Sequence, residues 1–202
     1  MTPLRRTLLV AGPGALGLAM LGATLGPLQA PARPRATTAS AGRSLYGLAA
    51  NWTSDDGRTL RLQELSGRAQ ILALIFTRCA SVCPTLVKDL QRLEAALPEP
   101  QRQGAQFTLV TIDPEHDTLE VLRAYRKRLG LDAAHWQLLR GSDAQVRELS
   151  AALGFSYSNE AGQLPLHSRL VTVLDRHGGI VHQQQGVQDD EQRLLRAVRD
   201  AT

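Results

Sequence analysis

An α/β fold, a central mixed β-sheet with helices on both faces, is the class that this 202-residue sequence predicts. Three observations predict it. "ILALIFT" (residues 71–77) is a short, nearly unbroken apolar run with β-branched residues, as a strand buried on both faces requires. Leucines at helical spacing follow it, at Leu86, Leu90, Leu93 and Leu97. Strand-like and helix-like segments then alternate until a final strand pair.

Each element can be read in turn. "LAANWTSDDGRTLRLQEL" predicts a β-hairpin that turns at Asp55, Asp56 and Gly57. After the buried strand, a helix runs from Pro84 to Leu97 and ends at Pro98 and Pro100. "QFTLVTID" is a second strand. Asp117 or Thr118 then caps a helix that turns Leu119, Leu122, Tyr125 and Leu129 inward and stops at Gly130. "HWQLLRG" is a short strand. Ser142 caps the next helix, with Val146, Leu149 and Leu153 inward and Gly154 at its end. "RLVTVLD" and "GIVHQQQG" flank the turn "RHGG" as an antiparallel hairpin. A last helix runs from Asp189 to about Val198. Strands joined by helices imply right-handed parallel crossovers, and the last two strands are antiparallel. The result is a three-layer sandwich of the thioredoxin type with an N-terminal β-hairpin extension.

Aromatic residues make up only 4% of the chain, so the core must rest on Leu, Val, Ile and Ala. The net charge of +4 comes from scattered residues such as Arg123, Arg126, Lys127 and Arg128. No basic block is interleaved with aromatics, which argues against nucleic acid as a partner. These charges read as a solvated helix face.

Residues 1–30 differ from the rest. Arg5 and Arg6 precede an uncharged stretch, residues 7–28, in the order of a targeting segment. At about 1.5 Å per residue it is long enough to cross a bilayer core. It reads as an uncleaved membrane anchor in preference to a removed signal peptide. Either reading puts the domain outside the cytoplasm, at the periplasmic face of the inner membrane. Residues 31–43 are then a Pro/Ala/Thr-rich flexible linker, and residues 44–202 form the folded domain.

Cys79 and Cys83 are the two cysteines of the chain, in "FTRCASVCPTL". They follow the first buried strand where the chain enters a helix, the edge at which α/β sheets place their chemistry. Pro84 suits the first turn of that helix. A helix N-terminus favours a thiolate, and residues at i and i+4 of a helix project to one side. Three readings stand side by side. A structural disulfide would close a loop of a few residues and add little stability. A redox dithiol is a second, although three residues separate the cysteines instead of the two of thioredoxin-type enzymes. A soft-metal site is the third, with Cu(I) favoured and Zn(II) its competitor. Two sulfurs leave copper under-coordinated, so a further ligand is needed.

Of the five histidines, His116 lies in a polar loop, His135 at a strand start, His177 in a turn and His182 on a hairpin strand. His167 precedes a buried strand that should pair antiparallel in the central sheet. That pairing would bring it within reach of the cysteines, although a lone histidine is more often a surface residue.

"FTRCASVCP", "TIDPEHDTLEVLRAY" and "LHSRLVTVLDRHGGIV" resemble, in order, the signature blocks of the Sco/SenC family. The segments around Trp52 and Trp136 are similar to two further blocks, and the resemblance spans roughly residues 48–186. It implies a thioredoxin-like, membrane-anchored copper chaperone that helps assemble the binuclear copper centre of cytochrome c oxidase. It also implies that Cys79, Cys83 and His167 bind one copper ion per chain, as Cu(I) or Cu(II), and that the cysteine pair is redox-active. The implied partners are the copper-containing oxidase subunit and a periplasmic thioredoxin-like reductant, the domain itself being monomeric. A metallochaperone rather than an enzyme is expected, with a thiol–disulfide oxidoreductase as the alternative. A peroxidase would need an arginine beside an activated cysteine, and Arg78 adjoins Cys79 only in sequence. Ala80 departs from the family, which often has proline there. Asp113 and Asp117 either orient the ligand loop or meet a partner, or serve as a turn residue and a helix cap.

Overall fold

The computed structural model describes residues 44–158, 166, 167 and 169–202, with backbone alone at 157, 158, 166 and 167. The reading of residues 1–30 as an anchor and the 31–43 linker lie outside the described residues.

The chain forms, in order, β1 (Asn51–Ser54), β2 (Thr59–Arg61), β3 (Ala69–Ile75), α1 (Val82–Ala96), α2 (Glu99–Gly104), β4 (Ala105–Thr111) and α3 (Leu119–Leu129). It continues with β5 (Trp136–Arg140), α4 (Asp143–Leu153), β6 (Tyr157–Ser158), β7 (Leu166–His167), β8 (Leu170–Leu174), β9 (Ile180–Gln185) and α5 (Glu191–Ala201). Seven strands make one sheet in the order β2-β1-β5-β4-β3-β8-β9, and β6 and β7 make a separate two-stranded piece.

Strand β3 is flanked by β4 and β8 inside the sheet. All seven of its residues are buried, so both sheet faces are covered there. It pairs parallel with β4, from Ala69↔Ala105 to Ile75↔Thr111, and antiparallel with β8. β5 continues the parallel run beside β4. The hairpin β1–β2 turns through Gly57, whose φ of 96° suits glycine, and extends the sheet at β5 through β1. β8 and β9 form the expected second hairpin. The mixed sheet and the N-terminal hairpin therefore follow the sequence reading.

Local chemistry explains most boundaries. Thr118 accepts the Val121 amide and caps α3, which stops at Gly130 in the left-handed region. Ser142 and Gln145 form a reciprocal capping box on α4. Three details differ from the sequence reading. α1 begins at Val82, ahead of Pro84. Pro98 and Pro100 end α1 but also open the short α2, because a helix's first turn tolerates a missing N–H. α5 is capped by Asp190 and runs on to Ala201.

The parallel register of β3 and β4 puts their carboxyl ends at one edge of the sheet. The loops that leave them, 76–81 and 112–118, therefore lie side by side. β8 runs the other way and starts at that same edge.

Candidate metal and redox site

The cysteine loop leaves β3 at Phe76 and turns at once, with the Cys79 amide donating to the Phe76 carbonyl at 3.3 Å. Only Cys83 is helical. Cys79 sits two residues before the Ser81 N-cap, so helical phase does not bring the sulfurs together. The turn does. Cys83 N–H donates to Cys79 Sγ at 3.2 Å. Ser81 makes no side-chain cap, and the Cys79 sulfur meets one of the helix's open amides instead. The cysteines are thiols, not a disulfide, in this structure.

Their environments are unequal. Cys83 is fully buried and Cys79 half-buried. Burial opposes ionisation of Cys79. The backbone amides of Cys83, Ser81 and Val82 and the Cys83 thiol outweigh it and hold the thiol below its ordinary range. Burial pushes Cys83 up to about 12, assisted by negative charge at Cys79 and Asp117. At neutral pH Cys79 is the readier thiolate and Cys83 the proton holder. Such an unequal pair has the chemistry for an attacking and a resolving thiol, or for two soft ligands of which one would have to lose a proton to bind.

The β4 loop holds the cysteine loop. Asp117, fully buried, accepts the Thr77 amide at 3.1 Å and the hydroxyls of Thr77 and Thr111, each at 2.5 Å. Asp117 is therefore not the cap of α3; Thr118 is, and the carboxylate is turned inward beneath the cysteines. Asp113, 4% exposed, accepts Nε and Nη2 of Arg78 at 2.9 and 2.7 Å and meets His116 Nδ1 at 2.8 Å. Arg78 is thus committed to Asp113. The side chains of Asp117 and Asp113 hold the cysteine loop, and Asp113 is a turn residue as well, its carbonyl accepting the amides of His116 and Asp117 at 3.2 and 2.9 Å. Thr77 and Thr111 lie within two of the quoted blocks, but sequence reasoning gave neither a role. The signal for both was position: each lies at the end of a buried strand facing the Asp-Pro loop.

The other histidines divide as follows. His116 belongs to the Asp113 cluster. His182 bonds Gln184, and His177 is exposed in its turn. His135 precedes β5, with its Nδ1 buried and without a partner among the described residues. The backbone of His167 is in β7, paired with Tyr157, three residues before β8 begins at the edge where β3 ends. Its side chain lies outside the described residues. Among those described, no three His, Cys, Asp or Glu side chains converge as a metal site.

The family model described as SCO1/SenC matches residues 40–202 of this chain. A Stutzerimonas stutzeri protein, named as a copper-binding one, is 37% identical over 95 residues, covering 47% of this chain and 45% of its own length. The chain thus spans about half the length of this relative. A solved Bacillus structure is described as a disulfide switch in BsSco, a member of the Sco family of cytochrome c oxidase assembly proteins. It superposes with a TM-score of 0.66 at 20% identity, over 75% of this chain and 90% of that one. Yeast Sco1 with copper bound gives a TM-score of 0.65 at 22% identity, over 78% and 88%. Both likenesses speak to the fold.

Proposed function

The chain belongs to the SCO1/SenC family, and from that premise we propose that it is an extracytoplasmic copper-binding protein that delivers copper to a cytochrome c oxidase. Copper is its cargo. Cys79 and Cys83 supply two thiolates, and His167 an imidazole. The single observation that carries the reading is the 3.2 Å bond from the Cys83 amide to Cys79 Sγ, which keeps both sulfurs at one site. The donor set fits the metal: thiolates suit Cu(I), and an added imidazole suits Cu(II). Delivery proceeds by ligand exchange to the copper-containing subunit, from the periplasmic face of the inner membrane, with residues 1–30 as the tether.

A titration of the reduced domain with copper tests this. One copper per chain is expected, lost in Cys83→Ser. His167→Ala should weaken Cu(II) more than Cu(I), because two thiolates hold Cu(I) in near-linear geometry. One-to-one, high-affinity copper binding by the double cysteine variant would overturn the reading.

The inequality of the two thiols favours a second role on the same residues. Cys79 thiolate attacks a partner disulfide, and Cys83, giving up its proton, resolves the mixed disulfide. The partner leaves as a dithiol and this chain as a disulfide. A thioredoxin-like periplasmic protein would then return the two electrons. This exchange does not need His167. Cellular activity that survives His167→Ala but not Cys79→Ser would favour it over copper delivery.

A further inference from the structure

A second surface lies away from the cysteines. β8 runs antiparallel to β3, with Leu174 opposite Gln70, so the turn after β8 is at the edge of the sheet opposite the cysteine loop. There a groove of about 700 Å³ opens between α5, the outermost strand β9 and that turn.

α5 has two faces. Leu194, Val198 and Ala201 are buried. Arg193 and Arg196, one turn apart, line the groove, and Arg176 lines it from the turn. None of these three guanidiniums makes an ion pair or a side-chain hydrogen bond among the described residues. Asp175 and Asp200 line the groove as well. Asp175 is spent on its own turn, where Oδ1 accepts the amides of His177 and Gly179 at 2.8 and 2.9 Å. Three arginines against two carboxylates leave the groove positive, with donors to spare. Val181 of β9 adds an apolar contact. It is unpaired where the register with β8 shifts, and at 50% it is the most exposed large apolar side chain among the described residues.

An arginine fork matches a carboxylate. No Phe, Tyr or Trp lines the groove, so it has no platform for stacking nucleic-acid bases. A second copy of the chain would set like charge against like, and a flat bilayer does not fill a concave groove. We propose that the groove between α5 and β9 is a docking surface for an acidic segment of a partner protein, its carboxylates on the arginines and an apolar side chain on Val181. A partner can be held there while the cysteines act at the opposite edge. No groove residue belongs to the cysteine site, so the proposal stands whether that site carries copper or electrons.

The test titrates the full chain, in neutral detergent, with a fluorescent synthetic peptide of alternating glutamate and valine. Binding should weaken as salt is raised. Arg193→Gln combined with Arg196→Gln should lower the affinity roughly tenfold. Lys127→Gln combined with Arg147→Gln removes the same charge from exposed positions outside the groove and should leave the affinity unchanged. Both double variants should keep the unaltered rate of Cys79 alkylation. Equal losses in the two double variants would overturn the proposal, reducing the binding to net charge. No binding by the unaltered chain at low salt would overturn it as well. Trypsin cleavage after Arg193 and Arg196 that is slower in phosphatidylglycerol vesicles than in phosphatidylcholine vesicles, without peptide binding, would assign the groove to lipid and overturn it too.

Discussion

Thr77 and Asp117 are bonded across a separation of 40 residues, the carboxylate receiving both the amide and the hydroxyl of the threonine two positions before Cys79. The carboxylate is fully buried and also holds Thr111, so the end of β3, the end of β4 and the cysteine loop share one acceptor. Asp117→Ala strands three donors. It should cost about 3 kcal/mol in urea unfolding, whereas Asp117→Asn, which keeps one acceptor oxygen, should cost less. Thr77→Val should loosen the turn, seen as faster hydrogen exchange at Cys79 than at β3. Equal exchange in both variants would mean that the carboxylate does not hold the loop.

The two cysteines should differ in alkylation. Cys79 should label first with iodoacetamide, and label below the ordinary thiol range, with Cys83 protected by burial and by its retained proton. Binding copper through both sulfurs must expel the Cys83 proton at any pH well below about 12. Apparent copper affinity should therefore rise at least about tenfold per pH unit through the neutral range. Competition titrations at several pH values read this directly, and a flat profile would exclude Cys83 as a thiolate ligand.

Alkaline stability follows from the same thiol, with a definite sign. The folded Cys83 pKa of about 12 lies above the ordinary 9.0, so the unfolded chain loses this proton first as pH rises. The contribution is complete below pH 9 and is lost between there and about pH 12. The slope should approach about 1.4 kcal/mol per pH unit for this group. Cys83→Ala should flatten that part of the urea-midpoint profile.

Arg126 of α3 grips Asp55 of the hairpin turn through Nε at 2.5 Å and Nη2 at 2.7 Å, and its Nη1 reaches the Trp136 carbonyl at 3.1 Å. Asp55 is 3% exposed, so Arg126→Ala leaves a buried carboxylate without its ion partner. A loss of about 3–5 kcal/mol is expected. Arg126→Lys should restore only part of it, because an ammonium lacks the fork. Thermal unfolding of the three proteins measures both effects.

Gly178, at φ +83°, closes the β8–β9 turn against residues 44–46, where an added Cβ would come within 2.5 Å of the Tyr46 ring and 2.6 Å of Ser44 Oγ. Gly178→Ala therefore combines backbone strain with a clash and should cost about 1–3 kcal/mol. Limited proteolysis should then cut near residues 44–48 sooner, while copper binding at the far edge of the sheet stays unchanged.

The sequence by itself determined what is local. Apolar runs marked β3, β4 and β8, side-chain caps at Thr118 and Ser142 marked helix starts, and left-handed glycines at 130 and 154 marked their ends. These depend on residues within a turn of each other, so their spacing suffices. The Cys79–Cys83 pair was legible for the same reason. Tertiary structure alone decided what acts across the sheet. A helical i, i+4 pattern suggested how the sulfurs meet, but α1 begins only at Val82, and a turn in front of it does that work. Asp117 carried the local signature of a cap. The parallel register of β3 and β4 instead set it beneath Thr77, where a buried carboxylate gains more from three donors than from one open helix amide.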